Sequence, residues 1–226
     1  MSTYLITGAN RGIGLAMTRL ALSRGHTVIA TARHPETATD LLDLDGKLSI
    51  RPLDVTDQTS LDVFAAETKE TIDIAVLNAG ILNSHGSLES PDHSVGAWRN
   101  VLMTNIAGPF LTVRAILPNL LLSSAPKVAI ISSNMGSSAT ASGTAYPYRA
   151  SKAAANNIAA NLAAELKPRG VAVGTYHPGW VRTDMGGQGA DISTEESANG
   201  LLDRFEVLSL QTTGCFENYS GKPLIF

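Results

Sequence analysis

Thr7-Gly8-Ala9-Asn10-Arg11-Gly12-Ile13-Gly14 follows the short apolar stretch Tyr4–Thr7 and runs straight into a segment of helical periodicity, Gly12–Arg24. Ile13, Ala16, Met17 and Leu20 recur at helical spacing, and Gly25 supplies a stop. A strand that turns tightly through glycines into a helix gathers free backbone N–H groups and the positive end of a helix dipole at one point, where a phosphate fits. The spacing is Gly-x-x-x-Gly-x-Gly, not the Gly-x-Gly-x-x-Gly of the common dinucleotide fingerprint. The same residues would also serve as a purely structural turn. Their place at the head of a strand–helix alternation favours the anion-binding alternative.

Outward from this loop, strands are expected at Thr27–Ala32, Leu48–Pro52, Ile72–Leu77, Lys127–Ser132, Val171–His177 and, more weakly, Gly214–Glu217. Several are continuous apolar runs, as befits strands covered on both faces. Helices are expected at Pro35–Leu42, Gln58–Lys69, Val95–Leu121, Tyr148–Lys167 and Thr194–Leu208. Such alternation predicts an α/β fold: one doubly wound parallel sheet of about seven strands with helices on both faces. No repeat, charge block or Pro/Ser linker divides the chain, so residues 1–226 read as a single Rossmann-type domain.

Composition narrows the function. The chain has 226 residues, 17 Lys+Arg against 20 Asp+Glu, a net charge of −3 and one cysteine. That balance argues against a nucleic-acid partner. A lone Cys215 excludes an internal disulfide framework and a Cys-based zinc site, and the histidines His26, His34, His85, His93 and His177 show no ligand spacing, so no metal is expected. No uninterrupted apolar run exceeds four residues and the N-terminus lacks a signal-peptide pattern, which points away from a membrane and to the cytoplasm. No Gly-x-Ser-x-Gly elbow supports a serine hydrolase.

Further landmarks follow in order: Asp54-Val55 after the third strand, Asn78-Ala79-Gly80 after the fourth, Asn105 in the long helix, Ile131-Ser132-Ser133 closing the fifth strand, Tyr148-Arg149-Ala150-Ser151-Lys152 opening the next helix, and His177-Pro178-Gly179 after the sixth strand. With Thr7–Gly14, this ordered set resembles the short-chain dehydrogenase/reductase family. Within it, Tyr146–Lys152, His177–Gly187 and the ending Phe216–Leu224 are similar to the C-factor and sniffer-type branch of carbonyl reductases.

Tyr148 and Lys152 stand four apart and so share one helix face; a nearby ammonium is expected to lower the phenol's pKa toward a useful range. Tyr146, two residues away, is expected off that face. The resemblance implies that Tyr148 donates a proton to a carbonyl and that Lys152 tunes it and binds the nicotinamide ribose. It implies that Ser133 holds the substrate oxygen. The family's usual spacing of about 13 residues before the tyrosine lands on Met135, but Ser133-Asn134-Met135-Gly136 reproduces the local pattern, with two extra residues in the loop Ser137–Ala145 and Ser132 as the alternative. Asn105, otherwise a solvated helix residue, becomes part of a proton relay, and Gly108-Pro109 nearby signals a disturbed helix.

The implied cofactor contacts are Gly8, Asn10, Arg11, Gly12, Ile13, Gly14, Arg33, Asp54, Val55, Asn78, Ala79, Gly80, Tyr148, Lys152, Pro178, Gly179, Val181 and Thr183. Asp54 would otherwise cap the following helix, and Asn78 also braces the sheet. Ala32 occupies the place where NAD-selective sites carry an acid, and Arg33 follows it, so NADP(H) is expected over NAD(H). Gly186–Thr194 reads as a mobile lid that chooses the substrate. The expected activity is reversible hydride transfer between nicotinamide and a small carbonyl or alcohol, in a homodimer or homotetramer by family habit. The rival is a cofactor-binding regulatory or signalling protein with little turnover; the intact Tyr148/Lys152 pair favours the enzyme.

Overall fold

A computed structural model describes residues 1–226. Seven strands form one parallel sheet: β1 (Thr3–Thr7), β2 (Thr27–Ala32), β3 (Leu48–Pro52), β4 (Ile74–Leu77), β5 (Lys127–Ile131), β6 (Ala172–His177) and β7 (Phe216–Asn218), in the order β3-β2-β1-β4-β5-β6-β7. The helices are α1 (Gly12–Ser23), α2 (Thr39–Leu42), α3 (Gln58–Glu67), α4 (Val95–Leu102), α5 (Gly108–Leu120), α6 (Tyr146–Leu166) and α7 (Thr194–Val207).

Alternation along each strand sorts the core into two layers. Leu5, Ile29, Leu77, Val128, Ile130 and Val173 face α3, α5 and α6 on one side of the sheet. Tyr4, Ile6, Val28, Val76, Ala129 and Tyr176 face α1 and α7 on the other. The strand order reverses between β1 and β4, so the loops leaving their C-terminal ends diverge and open a crevice, the usual ligand position in such sheets.

Six elements depart from the sequence expectation, among them β4, which starts two residues late at Ile74, and α3, which ends two residues early at Glu67. The 35–42 helix is broken: a 3-10 turn (Pro35–Thr37) and α2 are separated by Ala38, whose ψ of 63° is not helical. The last strand lies two residues later at its start, at Phe216–Asn218. Helix α6 begins at Tyr146, two residues early, because Pro147 in a first turn forfeits no hydrogen bond. The long helix carries a π-turn, Met103–Ala107, that joins α4 to α5.

That join also makes an apolar helical segment longer than any uninterrupted apolar run in the sequence. Val95–Leu120 is one helical stretch of 26 residues whose most apolar 18-residue window has a mean hydropathy of 1.3, a length and composition that a membrane span and a core helix share. Gly, Pro, Thr and Asn interrupt its apolar residues, which is why no run stands out in the sequence. Val113, Ile116 and Leu120 bury its inner face against the sheet.

Candidate active site

The glycine loop sits at the crevice. Gly8 and Gly12 adopt φ of +64° and +55°, where a side chain is strained. A Cβ on Gly14 would collide with the Gly8 carbonyl and stand 2.6 Å from Asn78 Nδ2. Helix α1 starts without a side-chain cap and without an acid in its first turn, so its leading N–H groups remain open to an anion. These features fit a dinucleotide pyrophosphate.

Asn78 ties this loop to β4. Its Nδ2 donates to Thr7 O (3.0 Å) and Gly8 O (3.1 Å), while Thr7 Oγ1 accepts from Asn78 N (3.0 Å) and Ala79 N (3.1 Å). Asn78 therefore shapes the cleft with its side chain already engaged. Thr7, a residue the sequence reading left without a role, is the other half of this brace; a hydroxyl at the last position of β1 was the available signal.

At the adenosine end, Arg33 lies exposed after β2, and Asp54 accepts from Thr56 N (2.9 Å) and Thr56 Oγ1 (2.7 Å). Burial alone would raise the Asp54 pKa, but the Thr56 hydrogen bonds and the charges of Arg33 and His34 bring it below the ordinary carboxylate value. Val55 does not present its side chain to the cleft: it is buried in the core, with Cγ2 only 2.7 Å from where Gly108 would carry a Cβ. Arg11, one of the implied cofactor contacts, pairs with Asp184 at 3.2 Å in the loop after β6. Both partners are well exposed, so this pair is worth at most about 1 kcal/mol and is readily exchanged.

The loop after β6 crosses the mouth. Thr183 Cγ2 lies 3.4 Å from the Cβ position of Gly12. Pro178 O accepts from Ser197 Oγ (2.6 Å), Gly179 takes φ +89°, and Val181 is buried, bridged to Ile192. The expected lid is tied along its length: Trp180 Nε1 donates to Gly186 O (2.8 Å), Gly187 N to Thr183 O (2.8 Å), and Arg182 Nη1 to Ala190 O (3.0 Å) and Asp191 O (3.1 Å).

Helix α6 brings Tyr148 and Lys152 together, both buried, with Lys152 Nζ 5.5 Å from the phenol ring centre. Nζ donates to Ile131 O (2.9 Å) and lies 3.6 Å from the Cβ position of Gly80. Burial depresses the Lys152 pKa to about 8. Contrary to the sequence expectation, the phenol is not lowered. Burial pushes Tyr148 up to about 12, and the Ser133 hydroxyl beside it pulls in the opposite direction. At this depth the loss of hydration of a phenolate outweighs the hydrogen bond from Ser133.

The two serines separate cleanly. Ser133 caps a 3-10 turn, Asn134–Gly136, accepting from Met135 N (3.1 Å) and facing Tyr148. Ser132 points the other way and donates to Lys152 O (3.3 Å) in the α6 backbone. Asn105 lies in the π-turn, buried. Its Oδ1 accepts from Ile81 N (2.9 Å), and its Nδ2 donates to Ile81 O (2.9 Å) and Ser151 Oγ (3.0 Å). Ser151 in turn donates to Tyr148 O (2.7 Å). Ser151 carries no role of its own in the sequence beyond its place in the Tyr148–Lys152 motif; its position one helical turn beyond Tyr148 is the signal for this link. Tyr146 is off the Tyr148 face, half-exposed and edge-on to His93 at 6.0 Å. His177 is a neutral strand-end ring, its pKa pushed down to about 4 by burial.

A buried phenol, an ammonium and a hydroxyl gathered at the mouth of a dinucleotide-shaped crevice define a nicotinamide-linked oxidoreductase. A family profile for short chain dehydrogenase matches residues 2–191, and the chain belongs to that family. Among its relatives, 1-hydroxy-2-glutathionyl-2-methyl-3-butene dehydrogenase of Rhodococcus sp. is 35% identical over 98% of this chain and 98% of its own length. NADPH-bound carbonyl reductase from chicken fatty liver superimposes with a TM-score of 0.91 at 32% identity, covering 100% of this chain and 99% of that one. Carbonyl reductase Sniffer of D. melanogaster gives 0.92 at 29% identity, covering both chains fully.

Proposed function

We propose that the protein reduces a small carbonyl compound with NADPH, Tyr148 giving the proton. The observation that carries this reading is the buried Tyr148 phenol, held protonated at neutral pH with Ser133 and Lys152 beside it. Likeness to an NADPH-bound carbonyl reductase supports it.

When bound, the reduced nicotinamide supplies a hydride to the carbonyl carbon. The chain does the rest. The α1 N-terminus and the glycine loop hold the pyrophosphate, and Arg33 takes the 2′-phosphate with charge-assisted hydrogen bonds. Lys152 holds the nicotinamide ribose. The Ser133 hydroxyl donates to the substrate oxygen, and the Tyr148 O–H delivers its proton there as negative charge develops. Lys152, an ammonium at neutral pH, favours the phenolate left behind, and Asn105 with Ser151 keeps the end of β4 and α6 in register around it.

The direct test is cofactor oxidation against aldehydes, ketones, quinones and acyl-linked ketones. A glutathione-linked aldehyde joins the panel because one relative carries a glutathionyl substrate in its name. Reduction of at least one carbonyl class is expected. NADPH binding without turnover across the panel would overturn the reading and favour a signalling role.

Two finer outcomes are expected. Ser133→Ala slows reduction more than Ser132→Ala does; steady-state rates in the reverse order would transfer the role to Ser132. NADPH binds more tightly than NADH by at least about tenfold, a difference of about 1.4 kcal/mol. Ala32→Asp with Arg33→Ser inverts the preference by adding a repulsion and removing an attraction. Ala32 is buried, so Arg33→Ser alone is the control and should erase most of the NADPH advantage. Equal titration of the parent by both cofactors would refute the role of Arg33.

A further inference from the structure

Arg149 follows Tyr148 on α6, and its guanidinium reaches across the loop Ser133–Ala145. Nη1 donates to Thr140 O (2.8 Å) and Met135 O (3.4 Å), and Nη2 donates to Ser142 Oγ (2.6 Å). Arg149 takes part in none of the chain's ion pairs. Its charge is thus directed at neutral acceptors of a single loop, where charge-assisted hydrogen bonds are the stronger kind.

That loop needs holding. It consists of two 3-10 turns, Asn134–Gly136 and Ser138–Thr140, followed by the exposed residues Ala141–Gly143, and it contributes little apolar surface to either core layer. Its first turn is seated on α6 from one side, where a Cβ on Gly136 would come within 2.7 Å of the Lys152 carbonyl carbon. Arg149, in the first turn of the same helix, reaches over the loop and holds its second turn and the residues beyond. Met135 links the grip to the serine: its carbonyl accepts from Arg149, and its N–H donates to Ser133 Oγ (3.1 Å).

We propose that Arg149 is a positioning residue, which clamps the Ser133–Ala145 loop and so sets the Ser133 hydroxyl against Tyr148 and the substrate oxygen. This rests on the roles given to Ser133 and Tyr148 above. Loosening the clamp misplaces the Ser133 hydroxyl without touching the cofactor cleft, so chemistry suffers and cofactor binding does not. A weakened hydrogen bond from Ser133 also leaves the phenolate less stable, which raises the pH at which alcohol oxidation, the direction that needs phenolate, sets in.

The experiment compares Arg149→Met, Arg149→Lys, Ser133→Ala and the Arg149→Met/Ser133→Ala double variant, using the fastest aldehyde of the panel and its alcohol. Arg149→Met should lower kcat about ten- to a hundredfold, the scale of small misplacements near reacting atoms. Its NADPH affinity should equal the parent's, and its oxidation profile should move to higher pH in the same sense as that of Ser133→Ala. Arg149→Lys, able to hold one carbonyl, should recover part of the loss. The double variant should be scarcely slower than Ser133→Ala alone, because both changes remove one function. Fully additive losses, or an unmoved pH profile with stability and NADPH affinity falling together, would overturn the proposal. If Arg149→Met does not fold, Arg149→Lys and Arg149→Gln carry the same comparison. A slow Ser133→Ala beside a fully active Arg149→Met defeats this inference alone; a fully active Ser133→Ala defeats the serine assignment and this inference with it.

Discussion

Tyr148→Phe is expected to lose at least about a hundredfold in kcat, the usual scale for removing a general acid. The substitution deletes one oxygen and keeps the ring, so the packing of α6 against the Asn134–Gly136 turn is retained. NADPH affinity should barely change, because the ring and every other cofactor contact are kept. In the parent, burial holds the phenol near 12, so the acid stays protonated throughout the neutral range. The parent's reduction rate should therefore show no acid-group decline between pH 6 and 8 arising from Tyr148, a range at least about four pH units below its titration. Single-turnover and steady-state rates check the substitution; near-parental turnover in Tyr148→Phe would remove the assignment.

Lys152→Met should abolish turnover to a similar degree and weaken NADPH binding in parallel, since the ammonium both holds the ribose and steadies the phenolate. It should also make the cofactor-free protein more stable at pH 7. Burial lowers the Lys152 pKa from 10.5 to about 8, so below pH 8 the folded chain carries a charge that the unfolded chain hydrates better. The penalty is about 3 kcal/mol at neutral pH, reduced by loss of the hydrogen bond to Ile131 O in the variant. Between pH 8 and 10.5 the unfolded state binds the extra proton, so the parent gains stability as pH rises and the advantage of Lys152→Met shrinks to nothing above 10.5. Denaturant unfolding at pH 7 and pH 10 measures this directly. A variant less stable than the parent at pH 7 would show that the ammonium is well compensated where it lies. Inactive but stabilised is the pattern of a residue kept for function against the interest of the fold.

The glycine loop was legible because its signal is local: backbone turning at Gly8 and Gly12 needs residues without side chains, and α1 begins immediately afterwards. The strands were legible for a related reason. A parallel strand covered on both faces is an unbroken apolar run, and six of the seven expected segments overlap the observed ones almost end to end. Helical spacing put Tyr148 and Lys152 on one face, but only the ordered motifs that resemble the family singled the pair out. Arg33 needed only its place after β2. The long helix was recognised, and Gly108-Pro109 foretold its disturbance, but not that the disturbance would be a π-turn placing Asn105 against Ile81 and Ser151.

What the sequence by itself determined is therefore the order of elements and the tight glycine turn, each set by interactions within a few residues; the proposed reacting side chains were singled out by the ordered motifs that resemble the family. Tertiary structure alone decided the rest. Ser133 and Ser132 differ by one position, and only the folded chain separates them: Ser133 lies beside Tyr148 and caps the Asn134–Gly136 turn, while Ser132 donates to the Lys152 carbonyl. The direction of the Tyr148 shift was missed because spacing reports the neighbouring charge and not the depth of burial, and burial is the larger effect. Arg11 pairing with Asp184, 173 residues away, and Arg149 gripping a loop that precedes it were invisible for the same reason. Long polar side chains have no periodicity to betray them, and their partners are fixed only when distant segments are brought together by the core.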